Sequence, residues 1–169
     1  MTVSEAIRAR RSIRKFVPGA QVTEEQVHAL LEAAMHAPSG CNTRPWEFIV
    51  VRDREKLSQI AQAHPYAKML ETASLAIVVM ALPETQVKPI DMGFFPQDCG
   101  AAVQNILLEA VGQGLGACWC GVYPKELRIG EIKTILGIKG LPFCVIAIGV
   151  PDEHPKARGS FEEGKVRYI

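Results

Sequence analysis

No stretch of the chain is apolar for long enough to cross a bilayer. The longest apolar runs, residues 75–82 and 143–150, fall far short of the ~20 residues that a spanning helix needs. The N-terminus has no apolar segment behind a basic one, which argues against a secretory leader. Charge of one sign is also missing: 19 Lys and Arg against 18 Asp and Glu leave a net charge of +1. A nucleic-acid binder would show a basic excess, so that class is set aside. A disulfide framework is absent as well. The five cysteines, Cys41, Cys99, Cys118, Cys120 and Cys144, are odd in number and scattered. That pattern fits a reducing, cytoplasmic setting. The four histidines (His28, His36, His64, His154) have no acidic partners at a metal-ligand spacing, so no metal is expected. No Ser/His/Asp or Cys/His pattern for nucleophilic catalysis stands out. Repeats, low-complexity tracts and linkers are lacking too, and residues 1–169 read as one domain.

What is present is a chain rich in apolar residues, 48% of the total. With so few charges, this suggests a large subunit interface. Residues 3–9 read as a short helix. Thr23 and Gln26 form a capping box ahead of a second helix that runs out near Met35. Residues 46–51 read as a strand, and Asp53 caps a helix over 54–61. A buried strand over 75–82 follows. Residues 97–111 read as a helix with little polar face, which implies burial. Gly112 and Gly114 end it. Strands over 117–122 and 143–150 enclose a helix over 127–136. Such mixing without tight hairpins points to an α+β or α/β sheet covered by helices.

Three stretches carry chemistry. Arg10-Arg11-Ser12-Ile13-Arg14 follows the first helix. Three guanidinium forks and a hydroxyl suit a phosphate dianion. A solvated basic helix end explains the same run, since the helix dipole favours cations there. Ala37-Pro38-Ser39-Gly40-Cys41-Asn42-Thr43-Arg44-Pro45-Trp46 is a stiff loop with hydroxyl and amide donors. It suits a polar, ring-bearing ligand, or equally a well-turned connection anchored by Trp46. Gly114-Leu115-Gly116-Ala117-Cys118-Trp119-Cys120-Gly121 leads into a strand. Gly121 lets backbone approach a flat ligand. Cys118 and Cys120 face one side of that strand and read as small buried hydrophobes rather than a metal site. Gly112, Gly114 and Gly116 follow a helix, the reverse of the order in a dinucleotide-binding loop. Lys156 and Arg158 add two cations after the last strand, by default a solvated tail.

In order and spacing, the three stretches and the final Lys-x-Arg resemble the nitroreductase family of FMN enzymes, over essentially the whole chain. The resemblance implies an α+β fold: a mostly antiparallel central sheet flanked by helices, in an intertwined homodimer with FMN at the interface. Residues 97–111 would be the central dimer helix. It implies that Arg10, Arg11, Ser12 and Arg14 bind the FMN phosphate and nearby ring edge, with Arg158 and Lys156 completing the grip. Pro38 and Ser39 would cover the flavin from the other subunit, and Asn42 would contact its ring. Cys120 and Gly121 would present backbone amides to N5 and O4. The chemistry implied is an FMN-dependent oxidoreductase. Hydride would pass from NADH or NADPH to FMN N5 and then to a nitroaromatic, a quinone or a similar small acceptor, by a ping-pong scheme. No catalytic side chain is required, because the cofactor does the chemistry. Two departures stand out. Arg44 replaces the Gln frequent before the Pro-Trp pair; as an extra cation near the flavin and the acceptor pocket, it would favour an anionic acceptor or stabilise the negative charge of the reduced flavin. Residues 83–96 are short where relatives carry a longer cover. Two other readings stay open: a flavin carrier or redox sensor without efficient turnover, and a thiol redox protein built on Cys118 and Cys120.

Overall fold

The structure, a computed structural model, describes residues 1–85, 93–156 and 158–169. Residues 86–92 of the short cover lie outside the described residues. Helix α1 (Val3–Ala9) opens on a Thr2–Glu5 capping box, and α2 (Glu24–Met35) on the expected Thr23–Gln26 box. Strand β1 (Trp46–Val51) is followed by α3 (Arg54–Ala63), whose first turn is capped by Asp53. Strand β2 (Leu75–Ala81), α4 (Phe95–Gly112), β3 (Gly116–Gly121), α5 (Glu126–Leu136) and β4 (Leu141–Gly149) complete the framework.

Most boundaries fall within one or two residues of expectation, and at two of them a proline gives the reason. Helix α4 begins at Phe95, ahead of Gln97, because Pro96 sits in the first turn. There a missing N–H costs nothing and the fixed φ suits the helix. Strand β4 begins at Leu141 because its register breaks at Pro142. Val79 faces Cys144, whereas Met80 faces Pro142, which leaves Phe143 as the extra residue of a bulge. A bulge tolerates the lost donor.

The sheet runs β1-β2-β4-β3, and every neighbouring pair is antiparallel. The fold is therefore α+β, in line with the sequence reading. Every residue of β2 is buried, so its side chains feed two apolar layers by simple alternation. Leu75, Ile77 and Val79 pack with Leu30, Val103 and Ile106 on the α2 and α4 side. Ala76, Val78 and Met80 pack with Leu57, Ile60 and Ile132 on the α3 and α5 side. Each large aliphatic side chain so buried contributes about 1.5–3 kcal/mol.

The segment after α1 is held against the open end of this sheet. Ser12 bridges to Ala117, and Ile13 N donates to Ala117 O at 3.0 Å. Further on, Val17 N donates to Val150 O and Asp152 N to Lys15 O, each at 2.9 Å. Two glycines make room for the buried side chains of this arm. A Cβ on Gly116 would stand 2.8 Å from Ile13 Cγ2, and one on Gly149 would stand 2.9 Å from Phe16 Cδ1. Both distances are shorter than carbon atoms tolerate.

Candidate active site

Anchored by Ile13 and Phe16, the arm turns its basic residues to one cavity of about 330 Å³. Arg10, Arg11, Ser12 and Arg14 line it together with Glu153, Pro155 and Arg158. Five of the expected phosphate-binding residues are thus brought together, although Arg158 is 144 positions from Arg14. The guanidinium groups of Arg10, Arg14 and Arg158 have no hydrogen-bond partner among the described residues, so they remain available. Arg11 differs. Its Nε donates to Lys156 O at 3.2 Å and its Nη1 to Arg10 O. Arg11 ties the C-terminal segment to the arm, and Lys156 takes part through its backbone carbonyl.

Glu153, 139 positions from Arg14 in the chain, places a carboxylate in this basic cavity. Its Oε1 accepts from the N–H groups of Arg14 and Lys15. The carboxylate thereby satisfies backbone donors that a phosphate would otherwise claim, and leaves the guanidinium groups to the ligand.

Arg14 also borders a second cleft, of about 500 Å³, with Pro65, Tyr66, Lys68, Met69 and Cys118 to Gly121. The two cavities adjoin at that side chain. Successive residues of a strand turn their backbone groups to opposite edges. Ala117 O meets the arm on the outer edge of β3, so Trp119 and Gly121 also face outward. A Cβ on Gly121 would meet nothing within 4 Å, and its φ is unexceptional. Nothing in the protomer demands glycine there; the open cleft beside it gives a reason, since a bare backbone admits a flat ligand. The donors, the cations and the glycine edge fit an FMN-sized group.

Gly121 O accepts from two side chains absent from the sequence reading. His64, only 1% exposed, contacts it through Nε2 at 2.8 Å, and Arg128 Nη1 donates to it at 3.2 Å. Tyr66 N donates to His64 Nδ1 at 3.2 Å, which assigns the proton to Nε2. Arg128 also lies 5.4 Å above the Tyr66 ring. Next to this, Cys120 Sγ donates to Tyr66 O at 3.2 Å. The Cys118 thiol is pulled down to about 7 by a hydrogen bond from Cys120, helped by the Arg14 charge and the Ser12 hydroxyl. Cys120 moves the opposite way, raised by the interaction with Cys118 and by burial. Both side chains are buried in the apolar layer, as expected. Among the described residues no group of His, Cys, Asp or Glu is arranged to hold a metal.

The loop before β1 lies apart: neither cavity is lined by Pro38, Ser39, Asn42 or Arg44. Cys41, Asn42 and Arg44 all have positive φ, between 50° and 54°. Such backbone costs energy for non-glycine residues and persists where the surroundings impose it. Here Asp98 Oδ1 accepts from Gly40 N at 3.1 Å, and Ser39 Oγ accepts from Arg44 N at 2.9 Å. Arg44 Nη2 donates to Met35 O at 3.4 Å, at the C-terminus of α2. Pro38 and Asn42 are exposed. A larger hollow, about 780 Å³ between α3 and α5, is lined by Leu127, Glu131 and Ile135 among others. It has no cation and none of the expected site residues, so the chemistry belongs to the two smaller cavities.

The model of the nitroreductase family matches residues 7–67 and 61–150. The chain belongs to the nitroreductase family. A protein named putative NADH dehydrogenase/NAD(P)H nitroreductase from Methanothermobacter thermautotrophicus is 45% identical, over 98% of this chain and 86% of its own. A crystal structure under the same name, from Bacteroides thetaiotaomicron, superposes with a TM-score of 0.91 at 39% identity, covering 98% of this chain and 96% of that one. The crystal structure of a putative nitroreductase in complex with FMN, from Desulfovibrio desulfuricans, gives a TM-score of 0.83 at 31% identity, over 100% of this chain and 97% of that one.

Proposed function

We propose that this nitroreductase-family chain is an FMN-dependent NAD(P)H oxidoreductase with one flavin site per chain, spanning the two adjoining cavities. The observation that carries the reading is their junction at Arg14: a cluster of unpartnered cations on one side, a bare backbone edge on the other. When bound, FMN supplies the redox chemistry, taking hydride at N5 from NADH or NADPH and passing it to a small electron-poor acceptor in a ping-pong scheme.

The chain's own part is to bind, orient and tune. Arg10, Arg14 and Arg158 neutralise the phosphate with charge-assisted bonds, and Ser12 adds a hydroxyl. Arg11 and Lys156 hold the arm and the C-terminal segment in place around it. The outward N–H of Gly121 would serve the ring edge as a preorganised donor for the negative charge that reduction puts there. The backbone of Cys120, paired with Val145, faces into the sheet, so of the two amides expected at the ring the one left for it is that of Gly121. No side chain needs to move a proton in the first half-reaction.

The active form is a homodimer in this reading. The strained loop supports it. Pro38, Ser39 and Asn42 are fixed and presented, yet point into neither cavity of their own chain, which suits a flavin bound in the partner subunit. Arg44 at the end of that loop would then sit near the acceptor and favour an anionic one. Among the described residues no helix is long and apolar enough to cross a membrane.

The test is anaerobic mixing of purified, flavin-loaded protein with NADH or NADPH, followed by a nitroaromatic or a quinone. Bleaching of the flavin by the nicotinamide, then recovery with the acceptor and parallel lines in double-reciprocal kinetics, is expected. A flavin that stays oxidised would move the protein to the carrier or sensor class.

A further inference from the structure

The mechanism above leaves two polar side chains unexplained. His64 is fully buried and Arg128 half-buried, and both donate to the same carbonyl, that of Gly121. A peptide carbonyl has two acceptor sites, so both are filled. A strand end usually needs no such attention. Gly121 is the last residue of β3 and lacks a side chain, so its backbone torsions are softer than those of any neighbour. Two donors on its carbonyl fix the plane of the Gly121–Val122 peptide. The N–H of Gly121 belongs to the preceding peptide, which the pairing of Cys120 with Val145 holds, so the clamp reaches that N–H by limiting the torsions of Gly121 between the two planes.

The rest of the turn is built to hold the donors still. Tyr66 N fixes the tautomer and ring plane of His64. The Arg128 guanidinium is seated over the Tyr66 ring. Tyr66 itself lines the cleft, and its carbonyl accepts from Cys120 Sγ, one residue before Gly121. The residue 64–66 turn and α5 thus grip the same strand end from two elements.

We propose that His64 and Arg128 are positioning residues that pin the carbonyl side of Gly121 and so limit its torsions, which keeps its N–H aimed at the flavin ring edge, and that Arg128 adds positive charge behind it. This rests on the flavin reading above. A fixed donor and a nearby cation stabilise the reduced, more electron-rich ring more than the oxidised one. Loosening the clamp therefore weakens binding of reduced FMN more than of oxidised FMN. By the thermodynamic cycle, the midpoint potential of the bound flavin falls.

The experiment measures FMN affinity by fluorescence and the midpoint potential by dye-coupled titration, on wild type, His64→Phe, His64→Gln and Arg128→Met. His64→Phe keeps a ring but removes both hydrogen bonds. It is expected to weaken reduced FMN about tenfold more than oxidised FMN, which lowers the potential by about 30 mV for a two-electron couple. His64→Gln, which can still donate, should recover most of the shift. Arg128→Met, at a half-buried position that leaves the apolar layer alone, should lower the potential as well. Should His64→Phe fail to fold, the Gln and Met variants decide. Equal weakening of both redox forms, with the potential unmoved, would reduce the clamp to a packing device and overturn the proposal. So would wild-type values in Arg128→Met. Wild-type protein that binds no FMN would instead refute the flavin reading itself.

Discussion

The two cavities that meet at Arg14 are built by opposite means. In the arm cavity, side chains face the ligand while the backbone is already engaged: Glu153 takes the N–H groups of Arg14 and Lys15. At the β3 edge, side chains are engaged while the backbone faces the cleft: His64 and Arg128 hold Gly121. Each arrangement suits its task. A phosphate carries formal charge, which guanidinium groups match best. A ring edge carries partial charge that shifts during reaction, which a fixed amide matches without reorganising.

Several substitutions would break or sharpen that contrast. The largest effect is expected from Arg10→Ala with Arg14→Ala. Hydrogen bonds to charged groups contribute about 1.5–3 kcal/mol each, so losing two should weaken FMN binding on the order of a hundredfold or more. Arg11→Ala should differ in kind: a lower melting temperature with a smaller change in FMN affinity, because its guanidinium holds carbonyls. Fluorescence titration and thermal unfolding on the same samples separate the two. If Arg11→Ala strips the flavin as fully as the double variant, the division of labour drawn here is wrong.

Gly116→Val comes next. A side chain there would press into Ile13, and overpacking of this kind costs about 1–3 kcal/mol. Because Ile13 lies between Ser12 and Arg14, FMN affinity should fall along with stability. Normal FMN affinity in a folded Gly116→Val protein would show that the arm does not need its glycine seat. Glu153→Gln should act the other way on the ligand. Removing one negative charge from the cavity should tighten phosphate binding several-fold, while the weaker acceptor loosens the arm slightly.

The smallest effect concerns Cys118. Its thiol lies near 7 against an ordinary value of 9.0. The folded state therefore favours the thiolate, and this contributes stability that is fully present above pH 9 and is lost as pH falls through 7. Ultraviolet thiolate absorbance should rise through that window in wild type and not in Cys118→Ser. A titration centred near 9 would remove Cys120 first, and Arg14 and Ser12 with it, as its causes.

The contrast also explains what could be read from the residues. Arg10, Arg14 and Ser12 announce themselves, because recognition by side-chain charge is written in residue types. The capping residues Thr23, Gln26 and Asp53 and the apolar run of β2 were legible for the same reason: local chemistry acts over a few positions. His64 was dismissed because its partner is a carbonyl 57 positions away, and no residue type encodes a carbonyl. Glu153 was missed likewise, since its donors are amides 138 and 139 positions upstream. Gly116 read only as one of three glycines after a helix, and its role as a seat for Ile13 depends on a residue 103 positions upstream. The local signal at hand was His64-Pro65-Tyr66, a stiff turn with a polar ring on either side.

The central claim is that cations and a backbone edge form one flavin site. Its most direct test is the affinity of flavin-free protein for FMN against riboflavin, which shares the ring and lacks the phosphate. FMN should bind at least a hundredfold more tightly, an estimate on the order of two charge-assisted bonds, and the advantage should collapse in the Arg10→Ala, Arg14→Ala protein. Equal affinity for the two flavins in wild type would contradict the account.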